Sequence, residues 1–359
     1  MKEWVSGVLA FAVCIAFVPV WPDGSLAPRW AVLSIAVPVL LCCVGRVRAS
    51  PGLYLLAGFV GYAGLSLAWT EALLDGGYIL WGFILMLGIF CLPGCPRAVY
   101  LGAGLALIPN SAVTLAQYLG YTPFPTIGLN SGLFFNKSFG AEISAMVAVG
   151  LIGTGRWWLA PAVLVPLGLT PLSRGSIFAF LNAGFLYISK KHRFYAVLFV
   201  IMLLGVLVRL VMSPTHFDNN LERVALWADV ARGLTFFGHG LGSFRWQWPY
   251  FEFAHNDALQ IAYELGVPGV LLLGSFFVHC LRAGALTERL VIVVFLVEGC
   301  FGFPLYTPAT LGLVALVAGS LCRSRLGLDV AVPAGQRDLL PGQNDPVPDG
   351  NGGALPAMR

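Results

Sequence analysis

The chain has 359 residues, 58% of them hydrophobic and 11% charged, with a mean hydropathy of +0.82 and a formal net charge of +4. A soluble domain carries roughly 25% charged residues, so the composition excludes a soluble globular protein and implies a polytopic membrane protein. The small positive charge is spread over loops, which bears on topology and argues against nucleic-acid binding.

Apolar runs of crossing length (~17 to 25 residues) fall near residues 4–21, 30–45, 52–69, 76–92, 98–118, 139–154, 157–172, 174–189, 194–212, 256–281, 290–304 and 307–322. Backbone polar groups in hydrocarbon must bond internally, so these helix-length runs predict an all-α integral membrane protein, a bundle of about 12 transmembrane helices. Lys2 and the run after it resemble a signal peptide, but the run ends in Phe17-Val18-Pro19-Val20-Trp21-Pro22 without a small-residue cleavage site and is read as the first span. Arg46, Arg48, Arg97, Arg156, Lys190-Lys191-His192-Arg193, Arg282, Arg289, Arg323 and Arg325 fall in alternate loops, which places that side and both termini in the cytoplasm.

Residues 119–138 form an outward loop rich in turn formers. A second outward loop, 213–254, is too long for a bare connector and is full of Trp, Phe, Tyr, His and Arg. Within it Leu221, Val224, Ala225, Ala228 and Ala231 recur at helical spacing and predict an amphipathic helix lying on the membrane surface. The membrane unit thus spans 1–325, and residues 326–359, rich in Pro, Gly, Asp and Asn, read as a disordered cytoplasmic tail. The eight cysteines lie in spans or at their cytoplasmic ends, so no disulfide is expected, and Cys91 with Cys95 lacks the second pair that a zinc site needs.

Three arginines stand on the outward side or within spans: Arg174, Arg209 in the ninth run and Arg223 in the surface helix. A guanidinium never loses its charge and matches phosphate oxygens with fixed donors, though each of these arginines could equally snorkel to headgroups or pair with an acid such as Glu142 or Glu298. His255 opens a span directly after the long loop, where an imidazole can accept a proton near neutrality or simply cap the helix with Asn256 or Asp257. Asp257, Ile261 and Glu264 share one helical stripe, so Glu264 is expected to fix a neighbouring span. His239 sits in a Gly-rich turn without the Lys-Ser/Thr of a P-loop, which argues against nucleotide binding.

Four blocks in this order resemble the O-antigen ligase family, which also holds O-antigen polymerases and protein O-oligosaccharyltransferases. They are Gly132-x-Phe134-x-Asn136 leading to Ala141; Ser173-Arg174-Gly175; Arg223-x-x-x-Trp227 with Gly238-x-Gly240-x-Gly242-x-Phe244; and His255-Asn256-x-x-Leu259-Gln260-x-x-x-Glu264-x-Gly266-x-x-Gly269. The last is specific, and Phe303-Pro304 with Pro308 also fits. The resemblance implies a metal-independent glycosyltransferase without cofactor in the bacterial inner membrane, acting on a polyprenyl-pyrophosphate-linked glycan at the periplasmic face. It implies that Arg174 and Arg223 hold the pyrophosphate and that His255 orients or deprotonates an acceptor hydroxyl. Asn136, Arg209, Asn256 and Gln260 would contact substrate, and Glu264, Gly266 and Gly269 would serve the structure.

The acceptor stays open between lipid A core, a second lipid-linked chain and a Ser/Thr side chain, with ligase first. Outside enzymes, a secondary transporter or flippase also has many spans and buried charges. Against that reading stand the absence of an internal repeat and the clustering of Arg, His and Trp on one face.

Overall fold

A computed structural model describes residues 2–18, 26–44, 47, 49–122, 124, 131–134, 136–169, 174–191, 217–251 and 253–324, with the backbone alone at 2–3, 137, 174, 188–191, 217–221 and 324. Among the described residues the chain is helical and contains no strand. The helices are α1 (Lys2–Ile15), α2 (Leu26–Cys42), α3 (Pro51–Leu65), α4 (Leu73–Cys91), α5 (Pro96–Tyr118), α6 (Lys137–Gly153), the short α7 (Ala160–Val163) and α8 (Val165–Leu169), α9 (Arg174–Lys191), α10 (Phe217–Arg232), α11 (Ser243–Gln247), α12 (Asp257–Ala283), α13 (Leu286–Gly299) and α14 (Pro308–Ser324).

Among the described residues, four helical segments are long and apolar enough to cross a bilayer: Pro51–Ala68, Leu73–Cys91, Pro96–Tyr118 and Asp257–Ala283. Several shorter apolar helices, α1, α2 and α14 among them, accompany these four, and the whole is the architecture of a helical membrane protein. The predicted run 194–212, with Arg209, and the tail 326–359 lie outside the described residues. The run 157–172, described as far as Leu169, is an apolar helical stretch that is not regular: it passes through a 3₁₀ turn, α7 and α8. Pro166 at the second break cannot donate to the carbonyl of Ala162, so the helical ladder is interrupted there.

Two helices are central. From Phe139 to Leu151 in α6, and from Pro308 to Cys322 in α14, every residue is buried, as expected of helices apolar on all faces. Around them α1 packs on α5, α3 on α12, and α9 on α13. The α1–α5 crossing is a contact of backbone on backbone, because a Cβ on Gly102 would lie 2.0 Å from the Gly7 carbonyl oxygen. Small residues permit such approach where lipid offers no hydrophobic drive between helices. A separate apolar cluster (Leu226, Val230, Phe244, Ala254 and Tyr263) ties α10 and the long loop to the start of α12.

Candidate functional site

The site is organised by a break in α12. Residue 268 is proline, so the carbonyl of Glu264 has no intrahelical donor four residues on. The backbone at Gly266 leaves the helix with φ +60° and ψ −160°. The freed groups find partners in the glycine-rich turn: Gly240 donates to the Glu264 carbonyl at 2.9 Å, His239 to the Tyr263 carbonyl at 3.0 Å, and Val267 to the Phe236 carbonyl at 2.8 Å. Gly238, Gly240 and Gly242 all have positive φ, and a Cβ on any of them would strike, respectively, the Glu264 carbonyl, Thr70 or Gly76. Two separate sequence blocks are therefore one structural unit. Three groups near the α3–α4 turn hold the same loop: the Tyr62 hydroxyl donates to Phe237, Thr70 donates to the Leu241 carbonyl, and the Leu241 amide donates to Ser66. His239 bonds the Gly233 carbonyl through Nε2 at 2.7 Å and stacks on Tyr263 at 4.4 Å, a bracing position.

Helix α10 docks by a face other than the predicted stripe. Leu226 and Val230 are buried, with Arg223 and Trp227 half-buried beside them, while Val224, Ala225, Ala228 and Ala231 remain exposed. The side chain of Leu221 lies outside the described residues. The protein-facing row runs 223, 226, 227, 230, the spacing of one helical face. Trp227 donates from Nε1 to the Ala254 carbonyl at 2.7 Å. One turn before Trp227 on the same face, Arg223 is brought close enough to His255 for its charge to act on the imidazole.

His255 has φ +53°, the one positive φ outside glycine among the described residues. Such a backbone is uncommon for a residue with a Cβ and concentrates at functional positions. Its ring meets Phe303 edge-on at 5.2 Å. Burial, and secondly the Arg223 guanidinium, push its pKa down from 6.5 to about 4, so the imidazole is neutral at physiological pH.

Downstream of His255, Asn256, Asp257, Gln260 and Glu264 each have a hydrogen-bond partner. Asn256 is the N-cap of α12, its Oδ1 accepting from the Leu259 amide at 3.0 Å, so any contact with substrate falls to its amide nitrogen. Asn136 plays the same part for α6, accepting from Ser138 at 2.9 Å. Gln260 accepts from the Ala254 amide and donates to Glu264. Asp257, Ile261 and Glu264 form the expected buried stripe. Glu264, however, serves the long loop: besides Gln260, the amides of Gly242 and Phe244 at the start of α11 bear on its carboxylate. Asp257 accepts from the Leu305 amide at 3.0 Å and so joins α12 to the turn before α14. Gly269 is buried against Leu265 just past the break.

The side chain of Arg174 lies outside the described residues, and so does the whole of Arg209. The backbone of α9 begins at Arg174, and its first turn approaches the α13–α14 connection. A Cβ on Gly175 would lie 3.0 Å from that of Phe301, two residues before the Phe303 ring that meets His255. Ser176 meets Glu298, and Glu142 on α6 lies close enough to act on the charge of both Glu298 on α13 and Asp257 on α12. Among the described residues no group of His, Cys, Asp and Glu is arranged to hold a metal ion, and all eight cysteines are free.

The block at Gly132 is held by contacts that the sequence reading missed. Asn110 accepts from the Leu133 amide and Gln117 from the Gly132 amide. The stripe Asn110, Ser111, Thr114, Gln117 was visible at helical spacing inside a span. Buried Arg29 donates to the carbonyls of Cys14 and Leu133 and lies 3.8 Å over the Phe134 ring. Its position just before an apolar run disguised it as a boundary charge. No protein-family model matches the chain, and no curated protein matches it.

Proposed function

We propose that this protein is a membrane-embedded glycosyltransferase that moves a glycan from a polyprenyl-pyrophosphate carrier to an acceptor hydroxyl, with lipid A core as the first acceptor. The observation that carries the reading is the hydrogen bond of Trp227 to Ala254, which sets a guanidinium beside a neutral histidine held at positive φ. In this reading about 12 spans place both termini in the cytoplasm and the site at the periplasmic face of the inner membrane.

His255 accepts the proton of the acceptor hydroxyl as its oxygen attacks the anomeric carbon. The bond from that carbon to the pyrophosphate oxygen breaks, and the electron pair leaves with the phosphate, whose growing charge Arg223 and Arg174 offset. A base with a pKa of about 4 is weak. A bound pyrophosphate cancels the field of Arg223, raises the imidazole pKa, and so strengthens the base when donor is present. The order of the four blocks along the chain supports the same reading.

The test measures release of polyprenyl pyrophosphate and glycan transfer in proteoliposomes with lipid A core as acceptor and EDTA present. His255→Asn tolerates the left-handed backbone and isolates the loss of the base, and its rate is expected to fall roughly 10² to 10⁴-fold. Arg223→Gln is expected to lose on the order of 10² to 10³. A folded wild type that transfers to neither lipid A core, a second lipid-linked chain nor a Ser-rich peptide would overturn the proposal in favour of a carrier.

A further inference from the structure

Beside the histidine, on the other side of an aromatic partition, the same end of the bundle holds an open cleft, about 580 Å³ of atom-free space with the solvent at its mouth included. The partition is Phe253, which stacks on Phe303 at 4.3 Å, and Phe303 in turn meets His255. The cleft runs between the first turns of α2 and α4 and the part of α12 before its break. One wall is Trp30 with Tyr78, edge to face at 6.0 Å, and another is Phe253 with Tyr306, 5.2 Å apart. Gln260 and the fully buried Glu264 lie at its inner end, and the Asp75 to Arg245 ion pair at 3.4 Å marks its rim. The Tyr306 hydroxyl is buried in this lining and has no hydrogen-bond partner among the described residues.

We infer that this cleft is a sugar-binding subsite, and that it holds an uncharged or amine-bearing ring of the glycan acceptor while a neighbouring hydroxyl reaches His255. Aromatic faces carry negative quadrupole charge and attract the C–H face of a pyranose. Concave sites of this kind use a few polar groups to fix orientation, and here a phenol and a carboxamide–carboxylate pair do so. Asp75 is offset by Arg245, so Glu264 is the carboxyl that disfavours a phosphate or an acidic sugar here. That leaves the pyrophosphate to the arginine side and the acceptor to this one, an assignment of acceptor that rests on the transferase reading.

The test titrates detergent-purified full-length protein with dephosphorylated core oligosaccharide freed from lipid A, with inorganic pyrophosphate as a second probe. Tyr306→Phe removes only the hydroxyl, and Tyr78→Ala removes a half-exposed wall residue that the fold tolerates; thermal unfolding verifies that both variants are folded. Saturable oligosaccharide binding, undisturbed by pyrophosphate or by His255→Asn and weakened roughly 3 to 10-fold by each cleft substitution, is the expected result. No saturable binding, or equal binding by wild type and both variants, overturns the subsite. Acceptor KM values unchanged in the variants while transfer proceeds also sink it and leave the transferase standing. Cleft-dependent binding without any transfer does the reverse.

Discussion

His255 combines three properties that a capping histidine does not need: a left-handed backbone, burial that pushes its pKa down to about 4, and an arginine that adds to the same shift. The sign of the resulting pH dependence is fixed. Between about pH 6.5 and 4 the unfolded chain binds a proton here that the folded chain does not, so stability falls as pH drops through that window and is constant above it. The acidic limb of kcat/KM, which reports free enzyme, is expected near pH 4 and not near 6.5. Arg223→Gln should move that limb upward by removing the second cause of the shift. A limb at pH 6.5 in wild type, or one unmoved by the substitution, would count against the placement of Arg223 beside His255. The histidine and Arg223 were legible as residue types, but their adjacency was not, because it depends on a bond from Trp227 to a backbone carbonyl 27 positions away.

At the scale of elements, the break in α12 is the device that holds the long loop. A continuous helix would satisfy its own carbonyls; a proline at 268 and a glycine at 266 hand them to His239 and Gly240. Gly266→Ala sets a Cβ about 2.2 Å from the Phe236 carbonyl oxygen at a φ of +60°. The strain alone is worth about 1 to 3 kcal/mol. The expected outcome is a lower unfolding temperature with faster proteolysis inside 234–242, and an unchanged cleavage pattern would show that the loop is held by other means. The family resemblance implied a structural role for Gly266, and the sequence pattern marked the glycine turn as a turn. That they bond to each other follows only from the fold, because neither block carries a sign of its partner. Helix α10 teaches a related lesson: its small apolar residues suggested the stripe that meets the membrane surface, and a separate row of larger residues, Leu226, Trp227 and Val230, supplies the protein-facing side.

For the whole molecule, helix contact is decided by where backbones can approach. Gly102→Val forces α1 away from α5, since the Cβ would overlap the Gly7 carbonyl, and should destabilise by about 1 to 3 kcal/mol. Gly61→Ala in α3 meets nothing within 4 Å and should stabilise by up to ~1 kcal/mol through helix propensity. Thermal unfolding of the purified protein checks both, and equal effects at the two positions would show that the crossing is not close-packed.

The sequence by itself determined that the chain is a helical membrane protein, because hydrocarbon admits no unpaired backbone and the apolar runs are of helix length. It also marked His255, Arg223 and the glycine blocks as candidates, because polar groups and left-handed turns are costly where they stand. The tertiary structure alone decided that the helical stretch 157–169 is irregular, that α10 turns its Arg223 face inward, and that an aromatic cleft lies one ring away from the histidine. Those outcomes rest on contacts between residues far apart in the chain, and periodicity, which reports one helix at a time, contains no term for them.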